Sequence, residues 1–125
     1  MKFRLTIGFV LLALFLCIGS IAAEAACTVV CNVEYAVNYG WSEKFKREID
    51  FYTGQELNEA TNSYSYEYFV TYALIWFDQD QVAIVKLSRN AIGGADELSV
   101  ESLLISPVEG VDKSGRTWRF STPLY

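Results

Sequence analysis

Strict alternation of apolar and polar residues is the strongest pattern in the chain. Between Lys44 and Phe51, the side chains of Phe45, Arg47, Ile49 and Phe51 fall on one side of an extended segment and those of Lys44, Lys46, Glu48 and Asp50 on the other. A period of two marks a strand that buries one face and shows water a charged one. The pattern then breaks. Thr53 and Glu56 have capping-box spacing, with Tyr52 one residue before and Leu57 four after the cap, so one short helical turn is predicted here. Gly54 inside that turn weakens it.

The longest strand expected runs from Ser63 to Phe77. Tyr64, Tyr66, Tyr68, Val70, Tyr72, Leu74 and Trp76 share one face, and Phe69, Ala73, Ile75 and Phe77 partly fill the other, so its second half should be buried on both. Asp78 to Asp80 interrupt it, and Gln81 to Ser88 resumes the alternation as the return strand of a hairpin at the centre of the sheet. Gly93 and Gly94 mark a loop. Leu98 to Ile105 is read as a strand, with a short helix started near Asp96 as the alternative. Lys113, Ser114 and Gly115 supply a tight turn before a last strand over Arg116 to Ser121. With Thr28 to Val37 as the first strand, the chain is expected to be mainly β. The architecture expected is a small antiparallel barrel or sandwich of six or seven strands with one short helical turn.

The first residues follow a different rule. Lys2 and Arg4 precede an uncharged run from Leu5 to Ile18, and the small residues Ala22, Ala23, Ala25 and Ala26 surround Glu24. This is the layout of a secretory signal peptide over residues 1–25, cleaved near Ala25, and the run is shorter than the roughly 20 residues a bilayer span needs. Residues 26–125 then form a single β-rich domain, secreted or periplasmic, with no stable membrane insertion after cleavage. Excision removes two positive charges and the negative Glu24, shifting the formal charge from −5 to about −6. An acidic domain lacks the basic footprint that nucleic acid or anionic lipid requires, and it favours encounter with a basic protein.

Cleavage also removes Cys17 and leaves Cys27 and Cys31 as a candidate disulfide. Residues four apart in a strand lie about 13 Å from each other, while a disulfide wants Cα atoms about 4.4 to 6.8 Å apart. The two can bond only if Thr28 to Val30 form a turn or helical loop; otherwise they are free thiols or bond another chain.

The chain contains no histidine. That removes Ser/His and Cys/His nucleophilic sites, most zinc and copper sites, and the usual neutral-pH proton shuttle. Glu48 and Asp50 leave one strand face about 7 Å apart, within the range of glycosidase acid pairs, but on a face shared with Lys44 and Lys46 they read as solvated charge. Asp78 and Asp80 have the spacing of the first two calcium-loop ligands. Ala83 stands where the loop glycine belongs and Arg89 where the bidentate glutamate belongs, so they read as a hairpin turn. No catalytic residue, metal ligand or cofactor is assigned.

The tyrosine row carries the remaining functional potential. Tyr64, Tyr66 and Tyr68 alternate with Ser63, Ser65 and Glu67, which combines flat rings with polar groups as binding surfaces do. The expectation is an exported, non-catalytic binding module that recognises a protein, in particular a basic one in the manner of an inhibitor, or a glycan. A self-associating structural or assembly subunit is the alternative, and a carboxylate-dependent hydrolase the third reading. Oligomeric state is left open.

Overall fold

The computed structural model describes residues 27–92 and 94–123. The signal peptide, its cleavage near Ala25, Cys17 and Gly93 lie outside them. The elements follow in the order β1 (Cys27–Val37), β2 (Gly40–Trp41), β3 (Phe45–Thr53), α1 (Gly54–Thr61), β4 (Thr71–Trp76), β5 (Val82–Leu87), α2 (Glu97–Leu103), β6 (Val108–Val111) and β7 (Thr117–Ser121). Every pairing is antiparallel. β1 pairs with β3 through Cys27 to Val33 and with β7 through Asn32 to Tyr35, which closes β1, β3, β4, β5, β6 and β7 into a barrel. Among the described residues β2 pairs only with the end of β1, and it stands outside the barrel. The expected mainly β fold is present in its barrel form.

A barrel this narrow is filled by its own side chains. Cys31, Val33, Ile49, Phe51, Ala73, Ile75, Val85, Leu87, Val108, Trp118 and Phe120 form the interior. The alternation read in β3 is reproduced there, since Ile49 and Phe51 are buried while Lys46 and Glu48 are exposed. One end of the barrel, where β1 begins and β7 finishes, is closed by α2, whose Val100 and Leu103, with Leu104 just beyond, join the same core. The Thr122 amide donates to the Leu104 carbonyl and anchors the helix end to the end of β7.

α2 corrects the strand expected over Leu98 to Ile105. Asp96 caps the helix by accepting from the Ser99 amide and hydroxyl, and the buried positions Val100, Leu103 and Leu104 follow helical spacing. Among the described residues there are therefore two short helices where one helical turn was expected. α1 carries the anticipated capping box: Thr53 Oγ1 accepts from the Glu56 amide at 3.1 Å, and Glu56 Oε1 accepts from the Thr53 amide at 2.9 Å.

α1 lies outside the barrel and forms a second cluster, in which Leu57 packs with Tyr72 and Leu74, flanked by Tyr52, Tyr66, Val70, Val82 and Ile84. β4 is thus buried on both faces, as its sequence predicts, and the β4–β5 hairpin turns at Asp78 to Asp80, where Asp78 Oδ1 accepts from the Asp80 amide. The 112–116 turn is held by Asp112 Oδ1, which accepts from the amides of Ser114 and Arg116 and from the Ser114 hydroxyl. Gly115 completes it at φ +91°, a conformation side-chain-bearing residues rarely adopt.

Candidate functional site

The long strand expected from Ser63 is shorter than its pattern suggested. Only Thr71 to Trp76 are extended, and residues 62–70 form an irregular segment tied to α1. Asn62 leaves the helix in the left-handed conformation at φ 53°. The Asn58 side chain then clamps Tyr66 through both of its backbone groups, its amide nitrogen donating to the Tyr66 carbonyl and its oxygen accepting from the Tyr66 amide, each at 3.0 Å. The first amides of α1 complete the attachment. Gly54 N–H donates to the Val70 carbonyl at 2.9 Å and Gln55 N–H to the Tyr68 carbonyl at 3.1 Å. These are donors that a helix start leaves without intrahelical partners, so the loop satisfies groups that strand pairing would not.

The three tyrosines separate accordingly. Tyr64 is 98% exposed and Tyr68 50% exposed. Tyr66 is partly buried, edge-on to Tyr72 at 5.3 Å, with the Lys113 ammonium 5.1 Å from its ring centre and 3.3 Å from its hydroxyl. The structure brings Phe69 to the exposed set instead: it is 83% exposed and stands edge-to-face with Tyr68 at 4.9 Å. Strand alternation had put Phe69 on the opposite face from Tyr68. Four of the eight residues from Asn62 to Phe69 are aromatic and favour a strand, so it is the attachment to α1 that decides for the loop.

Next to this loop a groove of about 600 Å³ runs over the outer surface of β5, β6 and the turn that follows. Its lining includes Tyr66, Ile84, Lys86, Val111, Lys113 and Thr117. Lys86 forms an ion pair with Glu67, whose hydrogen bond raises the lysine pKa above its ordinary value. The contact of Lys113 with Tyr66 joins the groove to the aromatic loop, so the two form one surface.

The other candidate positions have local roles. Glu48 is exposed, whereas Asp50 is partly buried, accepting from the Thr28 hydroxyl at 2.7 Å and from Trp76 Nε1 at 3.2 Å. Among the described residues no group of three or more Cys, Asp or Glu side chains is placed to hold a metal ion. Arg119, on the face opposite Trp118, donates to Glu34 at 2.8 Å and lies 4.1 Å over the Trp41 ring.

Cys27 and Cys31 are free thiols, and the turn their bridge requires is absent. Thr28 to Val30 are extended and pair with Asp50 to Glu48 of β3, so both cysteines lie on the inner face of one continuous strand. Burial pushes the Cys27 thiol up to about 11, helped by the carboxylates of Glu97, Asp96 and Glu101, and the Cys31 thiol to about 12. Both are poor nucleophiles at neutral pH, because the thiolate is the reactive form.

No protein-family model, curated protein or solved structure matches the chain.

Proposed function

We propose that the chain is an exported, non-catalytic binding module that recognises a protein partner through the loop bearing Tyr64, Tyr68 and Phe69. One observation carries this reading: these rings are exposed on a backbone that α1 and Asn58 hold in place. Exposed aromatics on a fixed loop lose little conformational freedom on docking, and each can bury about 150 to 250 Å².

The edge-to-face contact of Tyr68 with Phe69 joins two of the rings into one apolar unit that suits a pocket on a protein partner. Glu59 on α1 adds an exposed carboxylate, in line with an acidic domain steered toward a basic partner.

The test is affinity capture from the secreted or periplasmic fraction with the wild type and with the variant Tyr64→Ser, Tyr68→Ser, Phe69→Ser. A partner retained by the wild type and lost by a variant of unchanged melting temperature is expected. Equal retention by both, or no specific retention, defeats the reading.

A further inference from the structure

The barrel is not sealed to the same extent all round. β4 and β5 pair through five consecutive positions, from Tyr72 with Lys86 to Trp76 with Val82. On its other side β5 pairs with β6 only at Lys86 and Leu87. β6 ends at Val111, and the chain turns away through residues 112–116 to β7. Among the described residues no strand pairs with Val82 to Val85 on that side. Ala83, which packs against the barrel core, is only partly buried as a result.

Alternation of the ladder identifies the exposed backbone groups. The Phe77 amide donates to the Gln81 carbonyl across the hairpin, so hydrogen-bonded pairs with β4 recur at Ala83 and Val85. The amides and carbonyls of Val82, Ile84 and Lys86 then point the other way. The Ser88 amide donates to the Glu109 carbonyl, which places Lys86 in the corresponding bonded position with Val111. Val82 and Ile84 are left with two donors and two acceptors facing the seam. The groove described above lies along it.

Gly110 explains why β6 closes on β5 so tightly at one place only. A Cβ there would lie 2.5 Å from the Lys86 carbonyl oxygen and 2.6 Å from Val85 Cγ1, so only glycine admits this approach. One turn later Asp112 is engaged by Ser114, Arg116 and Trp118, which fixes the turn away from β5.

Building on the binding-module reading, we infer that the seam beside Val82 and Ile84 is a strand-addition site for an extended segment of the protein partner. A backbone edge with paired donors and acceptors is matched by another extended backbone, not by a helix or a sugar. The segment carries an apolar side chain that rests on Ile84 and Val111, and an acidic side chain that reaches Lys113. Although the domain is acidic overall, the Lys113 ammonium meets only the Tyr66 ring and hydroxyl and no carboxylate among the described residues. The opening is four residues long and bounded by β6 and the 112–116 turn, which admits a single segment.

Octapeptides selected on the protein from a random displayed library test this. Selected peptides should alternate apolar residues, contain a carboxylate, and slow amide exchange at Val82 and Ile84. Methylating alternate backbone nitrogens in one phase should weaken binding about tenfold or more while the other phase is tolerated, because only one set of peptide amides faces β5. Lys113→Gln should weaken binding several-fold. The inference is overturned by no selected peptide, by protection confined to residues 64–69, or by equal loss in both methylation phases. Protection of Val82 and Ile84 that rises with protein concentration without peptide also overturns it, by assigning the seam to a second copy. Capture by Tyr64, Tyr68 and Phe69 is scored separately, so either reading can fail alone.

Discussion

Replacing Gly54 with alanine tests whether α1 fixes the aromatic loop. Gly54 is buried in the first turn of α1, where a Cβ would lie 1.7 Å from the Glu67 carbonyl oxygen and 2.4 Å from its carbon. Both atoms are backbone, so no rotamer change relieves the clash. The segment from Glu67 to Val70 must move away from the helix. That movement breaks the Gly54 to Val70 and Gln55 to Tyr68 hydrogen bonds, each contributing about 0.5 to 1.5 kcal/mol net. Disturbed packing of Tyr66 against Tyr72 costs about 1 to 3 kcal/mol more. Better helix propensity returns at most about 1 kcal/mol.

The net expectation is a loss of about 2 to 4 kcal/mol, a large share of the roughly 5 to 15 kcal/mol typical of a small domain. At about 4 to 8 °C per kcal/mol for a domain of this size, the melting temperature falls by about 8 °C or more. Urea unfolding followed by tryptophan fluorescence measures the loss, and amide exchange at Gln55 shows whether the loop has detached. A variant within about 0.5 kcal/mol of the wild type, with Gln55 still protected, would refute the claim that the loop is held by contact with α1.

Thr53→Ala removes the Oγ1 that accepts from the Glu56 amide, while the backbone amide at 53 can still donate to Glu56, and should cost about 1 kcal/mol in urea unfolding, with the barrel core intact. Both cysteines should resist a thiol reagent at pH 8 in the native state and react fully in urea. Their raised pKa values place a stability loss at alkaline pH: it begins near the unfolded value of 9.0 and continues as pH rises through about 11 and 12, and Cys27→Ala with Cys31→Ala should flatten it. Asp112→Ala leaves the Trp118 indole N–H without its 2.9 Å acceptor, at a cost of about 1 to 3 kcal/mol. Burial acts to raise the Asp112 carboxyl, but hydrogen bonds from Ser114, Trp118 and backbone amides hold it below its ordinary 3.8. Its contribution is therefore present above that value and lost as pH falls below it, so the acid limb of a stability–pH profile should be shallower in the variant.

Where one face of a strand packs on the barrel interior, alternation alone locates it. Ile49 and Phe51 in β3, and Trp118 and Phe120 in β7, are buried at the positions period two assigns. Alternation fails where a second structure satisfies the same pattern. Leu98, Val100 and Leu104 also fit a strand, and the Asp96 cap, available in the sequence only as an alternative, decides for the helix. The Cys27 to Cys31 segment shows the reverse. Its spacing permits a turn, but pairing of Thr28 to Val30 with β3 keeps it extended.

Both halves of the candidate surface arise where a pattern ends early. Tyr64 to Phe69 alternate like a strand, yet Tyr66 and Tyr68 find their backbone partners in Asn58 and Gln55, and Val70 just beyond in Gly54, tertiary attachments that no periodicity encodes. The seam has a similar origin: β5 spans six residues and β6 four, and only their register shows that the surplus falls at Val82 to Val85. The turn at Asp112 to Gly115 is legible in the sequence as a turn. That it unpairs an edge of β5 follows only once Gly110 is placed opposite Leu87.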